Sequence, residues 1–161
     1  MTDDMRWLIF GAGAIGTYIG GSLALHRKPG GPGHQVVFLE KPEVAAELQP
    51  RGLRLNRDGQ DFTVSGVHVA GSIEYALTLG PFDVAIFALK SFDTHPALER
   101  LSEFITDLPP FLCLQNGVEN EPALEAVLGP GRVIAGTVTS SVGRRAAGDI
   151  VLERQRGMGV A

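Results

Sequence analysis

The fold is decided by RWLIFGAGAIGTYIGG, residues 6–21. Its apolar start, residues 7–10, runs into glycines at the spacing G-x-G-x-x-G, which are Gly11, Gly13 and Gly16, and then into an amphipathic segment. This order predicts a strand, a tight turn and a helix. In such a unit Gly11 allows the turn, Gly13 leaves room for a diphosphate, and Gly16 lets the helix lie close to the sheet. The unpaired N–H groups at the helix N-terminus then face the anion, so the stretch predicts a dinucleotide site.

A chance occurrence of the motif is the alternative, because 21 of the 161 residues are glycine. The flanking sequence favours the functional interpretation. The apolar run is too short for a helix and too apolar for a loop, which is typical of a parallel strand buried on both faces. After the motif, Ile15, Ile19 and Leu23 recur at helical spacing and predict one buried stripe along the helix.

Composition limits the class of protein. A chain of 161 residues that is 44% hydrophobic is large enough to bury one core, and we expect a single domain over residues 1–161. The net charge of −4 comes without a basic stripe, so nucleic acid is not an expected partner. The apolar runs are too short to span a membrane, and the first five residues lack the basic region of a signal peptide. These features predict a soluble cytoplasmic protein.

A single cysteine, Cys113, excludes an intramolecular disulfide. It lies in the apolar run of residues 111–114, so we expect a small buried hydrophobic residue rather than a nucleophile. The sequence shows no cluster of metal ligands, and no metal is expected.

Strand and helix patterns alternate along the chain, which predicts an α/β fold of the Rossmann type, a doubly wound and mostly parallel sheet. Further strands are predicted at residues 34–39, 82–89, 111–114 and 132–135, and helices at 42–49, 72–79, 94–108 and 122–128. Residues 53–55, 62–64 and 67–69 alternate at period two and predict an inserted antiparallel ribbon. Residues 137–161 show only weak strand character, around 150–152.

Two charged residues follow the second predicted strand. Glu40 follows Gly16 by 24 positions. Once the long loop is allowed for, this is near the spacing of about 20 at which an acid binds the ribose hydroxyls. A solvated surface glutamate is the alternative. Lys41 beside it either neutralises Glu40 or contacts a phosphate itself.

Two later strands also end in polar residues. Ligands of open α/β sheets bind at the carboxyl ends of the strands, so Lys90 is expected to point into that crevice, with ordinary surface exposure as the alternative. Asn116, in the segment Gln115-Asn116-Gly117, offers two donors and an acceptor to a ribose or a small substrate. The alternative is a simple Asn-Gly turn.

Four segments together, GAGAIG at 11–16, FALKS at 87–91, QNG at 115–117 and GTVTSSVG at 136–143, resemble the ketopantoate reductase (2-dehydropantoate 2-reductase) family. The resemblance covers essentially the whole chain but only the amino-terminal half of such an enzyme. It implies that Lys90 lies near the cofactor, that Asn116 touches the nicotinamide ribose and the substrate, and that Val142 contacts the cofactor. It also implies that the pyrophosphate is held by the motif residues Gly11, Ala12, Gly13, Ala14, Ile15 and Gly16.

The resemblance implies an oxidoreductase of pantothenate biosynthesis that transfers hydride from NAD(P)H to a 2-keto acid such as 2-dehydropantoate. The family usually has an arginine for the NADP 2′-phosphate where this chain has Lys41, preceded by Glu40, so NADP and NAD both stay open. A stand-alone dinucleotide-binding module or regulatory sensor without catalysis is the alternative function.

The family's catalytic lysine and most of its substrate-binding residues belong to a carboxyl-terminal helical domain that residues 1–161 do not include. We therefore expect no catalytic residue in this chain, beyond Asn116 for positioning, and no ketopantoate reduction by the chain alone. An apolar patch left exposed would favour self-association into a homo-oligomer.

Overall fold

The computed structural model describes residues 4–26, 33–89, 94–114 and 120–161. These ranges form five α-helices, eleven strands and a 3-10 turn at Ile105–Asp107. The helices are α1 Ala14–Leu25, α2 Pro42–Arg51, α3 Ile73–Thr78, α4 Thr94–Leu101 and α5 Asn120–Leu128. The strands are β1 Arg6–Phe10, β2 Gln35–Leu39, β3 Leu53–Arg57, β4 Gln60–Val64, β5 His68–Ala70, β6 Val84–Phe87, β7 Phe111–Cys113, β8 Val133–Val138, β9 Ser141–Ala146, β10 Asp149–Arg154 and β11 Met158–Val160.

The main sheet has seven strands in the order β11-β8-β7-β6-β1-β2-β5. All of its pairs are parallel except β11 with β8. The chain builds outward from β1 through β2 to β5, then returns to the other side of β1 with β6. This is the strand order of a doubly wound dinucleotide-binding fold, so the predicted fold class is confirmed.

The inserted ribbon is confirmed in part. Strands β3 and β4 pair antiparallel, with Leu53 opposite Val64. The third predicted segment, residues 67–69, is wrong as a ribbon strand, because β5 pairs parallel with β2 at the edge of the main sheet. The alternation that prompted the prediction is present, since His68 is exposed and Val69 is buried. An edge strand of a parallel sheet shows the same period of two as a ribbon.

A second sheet, of four strands in the order β4-β3-β10-β9, was not expected. Strand β10 pairs parallel with β3 and antiparallel with β9, so the chain returns to the ribbon and completes a sheet with it. The turn between β9 and β10 contains Gly148, which has φ 65°. Half of the residues of β9 are polar and all of them are half-buried or exposed, so this strand carries little apolar alternation that could predict it.

Helix α1 lies between the two sheets and packs through small residues. A Cβ at Gly20 would lie 2.5 Å from the ring of Phe38 in the main sheet. A Cβ at Gly21 would lie 3.6 Å from Val64 in the small sheet. The helix therefore buries a face of Gly16, Thr17, Gly20 and Gly21. The predicted buried stripe is wrong, because its three residues are only half-buried and lie beside this face: Ile15, Ile19 and Leu23.

Other helix ends differ from the predictions by less than two turns. Ser72 caps α3 as its residue type predicts, and its Oγ accepts a hydrogen bond from the Tyr75 N–H at 3.2 Å. Helix α2 continues through Pro50 and ends at Arg51, before Gly52 with φ 76°. Helix α4 ends at Leu101 rather than near 108, and the chain continues into the 3-10 turn.

Cys113 is fully buried in β7, as its apolar neighbours predict. No helix in the described ranges is long and apolar enough to cross a membrane. The side chains of those ranges also contain no group of three or more potential metal ligands.

Candidate functional site

A pocket of about 490 Å³ opens at the carboxyl ends of β1, β2 and β6. Its remaining walls come from the loop after β5, the starts of α2 and α4, and the β9–β10 hairpin. This volume is within the usual range for small-molecule sites. The main sheet reverses its winding between β1 and β6, and ligands of open α/β folds bind at this point.

The glycine turn forms one wall of the pocket. Gly11 has φ 98°, which favours glycine, and its N–H donates to the Leu39 carbonyl at 3.0 Å. A Cβ at Gly16 would lie 1.9 Å from the Gly11 carbonyl oxygen, so helix and turn touch there. A Cβ at Gly13 would meet nothing within 4 Å. The turn therefore leaves open space beside the one glycine that was predicted to face a diphosphate.

Helix α1 presents its N-terminus at the same place. Its N-cap residue is Gly13, so no side chain accepts a hydrogen bond from the N–H groups of the first turn, and that turn contains no acidic residue. The first N–H that bonds back within this segment belongs to Thr17, which donates to the Gly13 carbonyl at 3.0 Å. The N–H groups of Ala14, Ile15 and Gly16 have no intrahelical acceptor, because the first turn of any α-helix has none. An anion in the open space would provide that acceptor.

Glu40 is tied to the glycine turn. Its Oε1 accepts a hydrogen bond from the Ala12 N–H at 2.8 Å, and its Oε2 accepts one from the Lys41 N–H at 3.0 Å. The side chain is half-buried and lines the pocket. Glu40 is therefore not the solvated surface glutamate of the alternative interpretation, because its carboxylate holds the glycine turn in place. Sequence spacing placed Glu40 near the site, but nothing in it indicated a bond to Ala12.

The β9–β10 hairpin holds Ala12 from its other side. The Gly148 N–H donates to the Ala12 carbonyl at 2.8 Å, and the Arg54 N–H donates to the Gly148 carbonyl at 2.7 Å. The Arg51 guanidinium donates to the Ala147 carbonyl at 2.5 Å. Both backbone polar groups of Ala12 are therefore bonded to distant parts of the chain. The pair Gly148-Asp149 between two alternating segments is the sequence signal that could have predicted this hairpin.

Charged side chains of both signs line the pocket: Glu40, Lys41, Glu74, Arg100 and Arg144. Arg100 forms ion pairs with Glu74 of α3 and, at 2.8 Å, with Glu103. Arg144 has no hydrogen bond or ion pair to any side chain in the described ranges. The composition of the pocket suits a ligand with both apolar and anionic parts.

Three predicted site residues outside the glycine motif are not among the described residues that line the pocket. Lys90 and Asn116 lie outside the described residues and stay predictions. Val142 is half-buried on β9 opposite Leu152, two positions before Arg144, and is not among the described residues that line the pocket.

Comparison with known proteins identifies the family. A family model described as ketopantoate reductase PanE/ApbA matches residues 7–160. The chain belongs to the ketopantoate reductase family. The resemblance drawn from the four motifs is therefore confirmed, and the mostly parallel fold is that of the family's Rossmann-like amino-terminal domain.

Two relatives that match this chain are longer than it is. The 2-dehydropantoate 2-reductase of Mesorhizobium japonicum is 32% identical over 114 residues, which cover 71% of this chain and 32% of the relative. An uncharacterized oxidoreductase of Bacillus subtilis, YkpB, is 28% identical over 132 residues, which cover 82% of this chain and 40% of the relative.

A solved structure gives the same picture. The crystal structure of a PanE/ApbA family ketopantoate reductase from Ralstonia eutropha JMP134 superposes with a TM-score of 0.78 at 28% identity. The superposition covers 97% of this chain and 49% of that one. The chain thus spans about half or less of the length of the relatives that it matches.

Proposed function

We propose that this chain binds the cofactor of an NAD(P)-dependent oxidoreductase that reduces a 2-keto acid, with 2-dehydropantoate as the first candidate substrate. One observation carries the proposal: Gly13, at the N-terminus of α1, leaves open space in a pocket at the point where the main sheet reverses its winding. The name of the Mesorhizobium relative supports the choice of substrate.

The residues around the pocket fit a dinucleotide. The N–H groups that begin α1 and its dipole suit the diphosphate, and Gly13 adds no side chain to the space it needs. The apolar wall formed by Ile73, Pro96 and Ala97 suits a flat base. Glu40 lies at the end of β2, where a carboxylate accepts hydrogen bonds from the ribose hydroxyls of a dinucleotide. When bound, the nicotinamide supplies the hydride that reduces the keto carbon.

Binding by the chain itself tests the proposal. Isothermal titration of the 161-residue chain with NADH and with NADPH should show saturable binding of about one cofactor per chain, as one pocket requires. Binding of either cofactor supports the proposal. Absence of heat with both, from protein whose circular dichroism shows the expected helix and strand, would contradict it.

Cofactor choice is expected to depend on the charge of Glu40. A carboxylate repels a 2′-phosphate, whereas Lys41 attracts it, and at about 4 Å such a charge is worth roughly 1 kcal/mol in water and more in a crevice. Replacing Glu40 with alanine should therefore shift binding toward NADP. Because alanine also leaves the Ala12 N–H without its acceptor, we expect this substitution to weaken the binding of both cofactors as well.

Glu40→Gln separates these two effects. Glutamine keeps an oxygen for the Ala12 N–H but removes the negative charge. We expect the ratio of the NADPH to the NADH dissociation constant to fall about fivefold, the equivalent of roughly 1 kcal/mol. Glu43→Gln is the control, because Glu43 is exposed one residue beyond Pro42 and does not line the pocket. An unchanged ratio in Glu40→Gln would leave Glu40 with only its structural bond to the turn.

A further inference from the structure

The small sheet contributes Arg144 to the pocket, an arginine with no side-chain partner among the described residues. Arg144 lies opposite Ile150 in the register of β9 and β10, and Ile150 is fully buried. Directly paired residues in an antiparallel sheet point to the same face. The register shifts between Ile150 and Asp149, but Arg144 itself lines the pocket, so its side chain extends from the inner face of the small sheet. That face packs against α1, the helix whose N-terminus lies beside the open space.

Other charged groups of the pocket are already engaged by the protein. The Glu40 carboxylate accepts two backbone N–H groups, and Arg100 is paired with Glu74. Arg144 is exposed and, within the described ranges, has no carboxylate partner. A guanidinium presents N–H donors in a planar fork that matches two oxygens of a phosphate. No carboxylate in the described part of the chain neutralises this charge, so it is available to an anionic part of the ligand.

We propose that Arg144 binds a phosphate group of the dinucleotide, an inference that rests on the proposed function. The glycine motif supplies backbone donors and a helix dipole but no basic side chain. Arg144 adds a full positive charge to these backbone groups, from a different sheet. Its phosphate is either the diphosphate, which both cofactors carry, or the 2′-phosphate, which only NADP carries.

The test compares two neighbouring arginines. Arg144→Gln removes the proposed contact, and Arg145→Gln is the matched control. Arg145 lies on the opposite face, where its guanidinium donates to Asp149 at 2.9 Å and pairs with Asp61. A hydrogen bond from the Asn56 side chain and this contact with Arg145 together lower the pKa of the Asp61 carboxyl. We expect Arg144→Gln to weaken binding about 10- to 100-fold, as loss of a charged hydrogen bond does, and Arg145→Gln to change it by less than about twofold.

The salt dependence of binding distinguishes a charge contact from a purely structural role of Arg144, which would not change that dependence. Dissociation constants for NADH and NADPH are measured at low and high ionic strength, where screening weakens charge pairs. The salt dependence should be smaller in Arg144→Gln than in the wild-type chain, and Arg144→Lys should restore part of both the affinity and the salt dependence.

The two cofactors identify the phosphate. Equal losses for NADH and NADPH in Arg144→Gln assign the contact to the diphosphate, and a loss for NADPH alone assigns it to the 2′-phosphate. Wild-type affinity for both cofactors in Arg144→Gln overturns the inference and leaves the proposed function standing. A folded wild-type chain that binds neither cofactor overturns both.

Discussion

Gly13→Val is expected to abolish dinucleotide binding while leaving the domain folded. The Cβ of residue 13 would point into open space, so the branched side chain meets no protein atom within the reach of that Cβ. It would instead occupy the space that the proposed diphosphate needs. Gly13 has φ −79°, which valine adopts without strain. Valine is a poorer helix N-cap than glycine, so we expect the substitution to lower the free energy of unfolding by on the order of 1 kcal/mol.

Titration with NADH and NADPH measures the loss, and thermal unfolding measures the fold. Gly157→Val is the control, because a Cβ at Gly157 meets only Thr139, at 3.9 Å, and Gly157 lies outside the pocket lining. We expect that control to bind as the wild-type chain does. Wild-type affinity in Gly13→Val would mean that the diphosphate does not lie beside Gly13.

Gly16→Ala is expected to destabilise the domain although alanine favours helices. A glycine-to-alanine change inside a helix normally stabilises by up to about 1 kcal/mol. Here the new Cβ would lie 1.9 Å from the Gly11 carbonyl oxygen, a backbone atom in a tight turn that cannot swing aside as a side chain does. Overpacking of this kind costs typically about 1–3 kcal/mol and occasionally more. Urea unfolding should show the loss as a lower midpoint.

A second glycine in the same helix gives the matched control. The Cβ of Gly21→Ala would lie 3.6 Å from Val64, an ordinary contact distance. We expect this variant to be at least as stable as the wild-type chain, since the gain in helix propensity meets no clash. If Gly16→Ala unfolds at the same urea concentration as Gly21→Ala, the close approach of helix and turn is not present in solution.

Sequence predicted the part of the site that depends on local conformation. The strand, turn and helix of residues 6–21 follow from apolar pattern and glycine spacing, and the parallel order follows from alternation of strands and helices. The hairpin that supports Ala12 was missed because β9 shows little apolar alternation and because β3, which pairs with β10, is far away in the chain. Residues 67–69 were misassigned because period two does not distinguish an edge strand from a ribbon.

Glu40 shows a different limit. Motif spacing predicted a carboxylate near the glycine turn, and in the structure Glu40 lines the pocket beside that turn. The hydrogen bond to the Ala12 N–H depends on how two loops approach each other, which single-residue propensities do not encode. Position was predictable from spacing, whereas the bonding partner was not.

The two bonds to Ala12 also bear on how the domain folds. Residues 6–21 are adjacent in sequence and need no distant partner to form a strand and a helix. The turn between them reaches its final shape only when Glu40 and Gly148 have both arrived, and such long-range contacts pay the largest loop-closure entropy. We therefore expect the cofactor site to be completed late in folding. A dinucleotide that needs the completed site should then slow unfolding, with little effect on the rate of refolding.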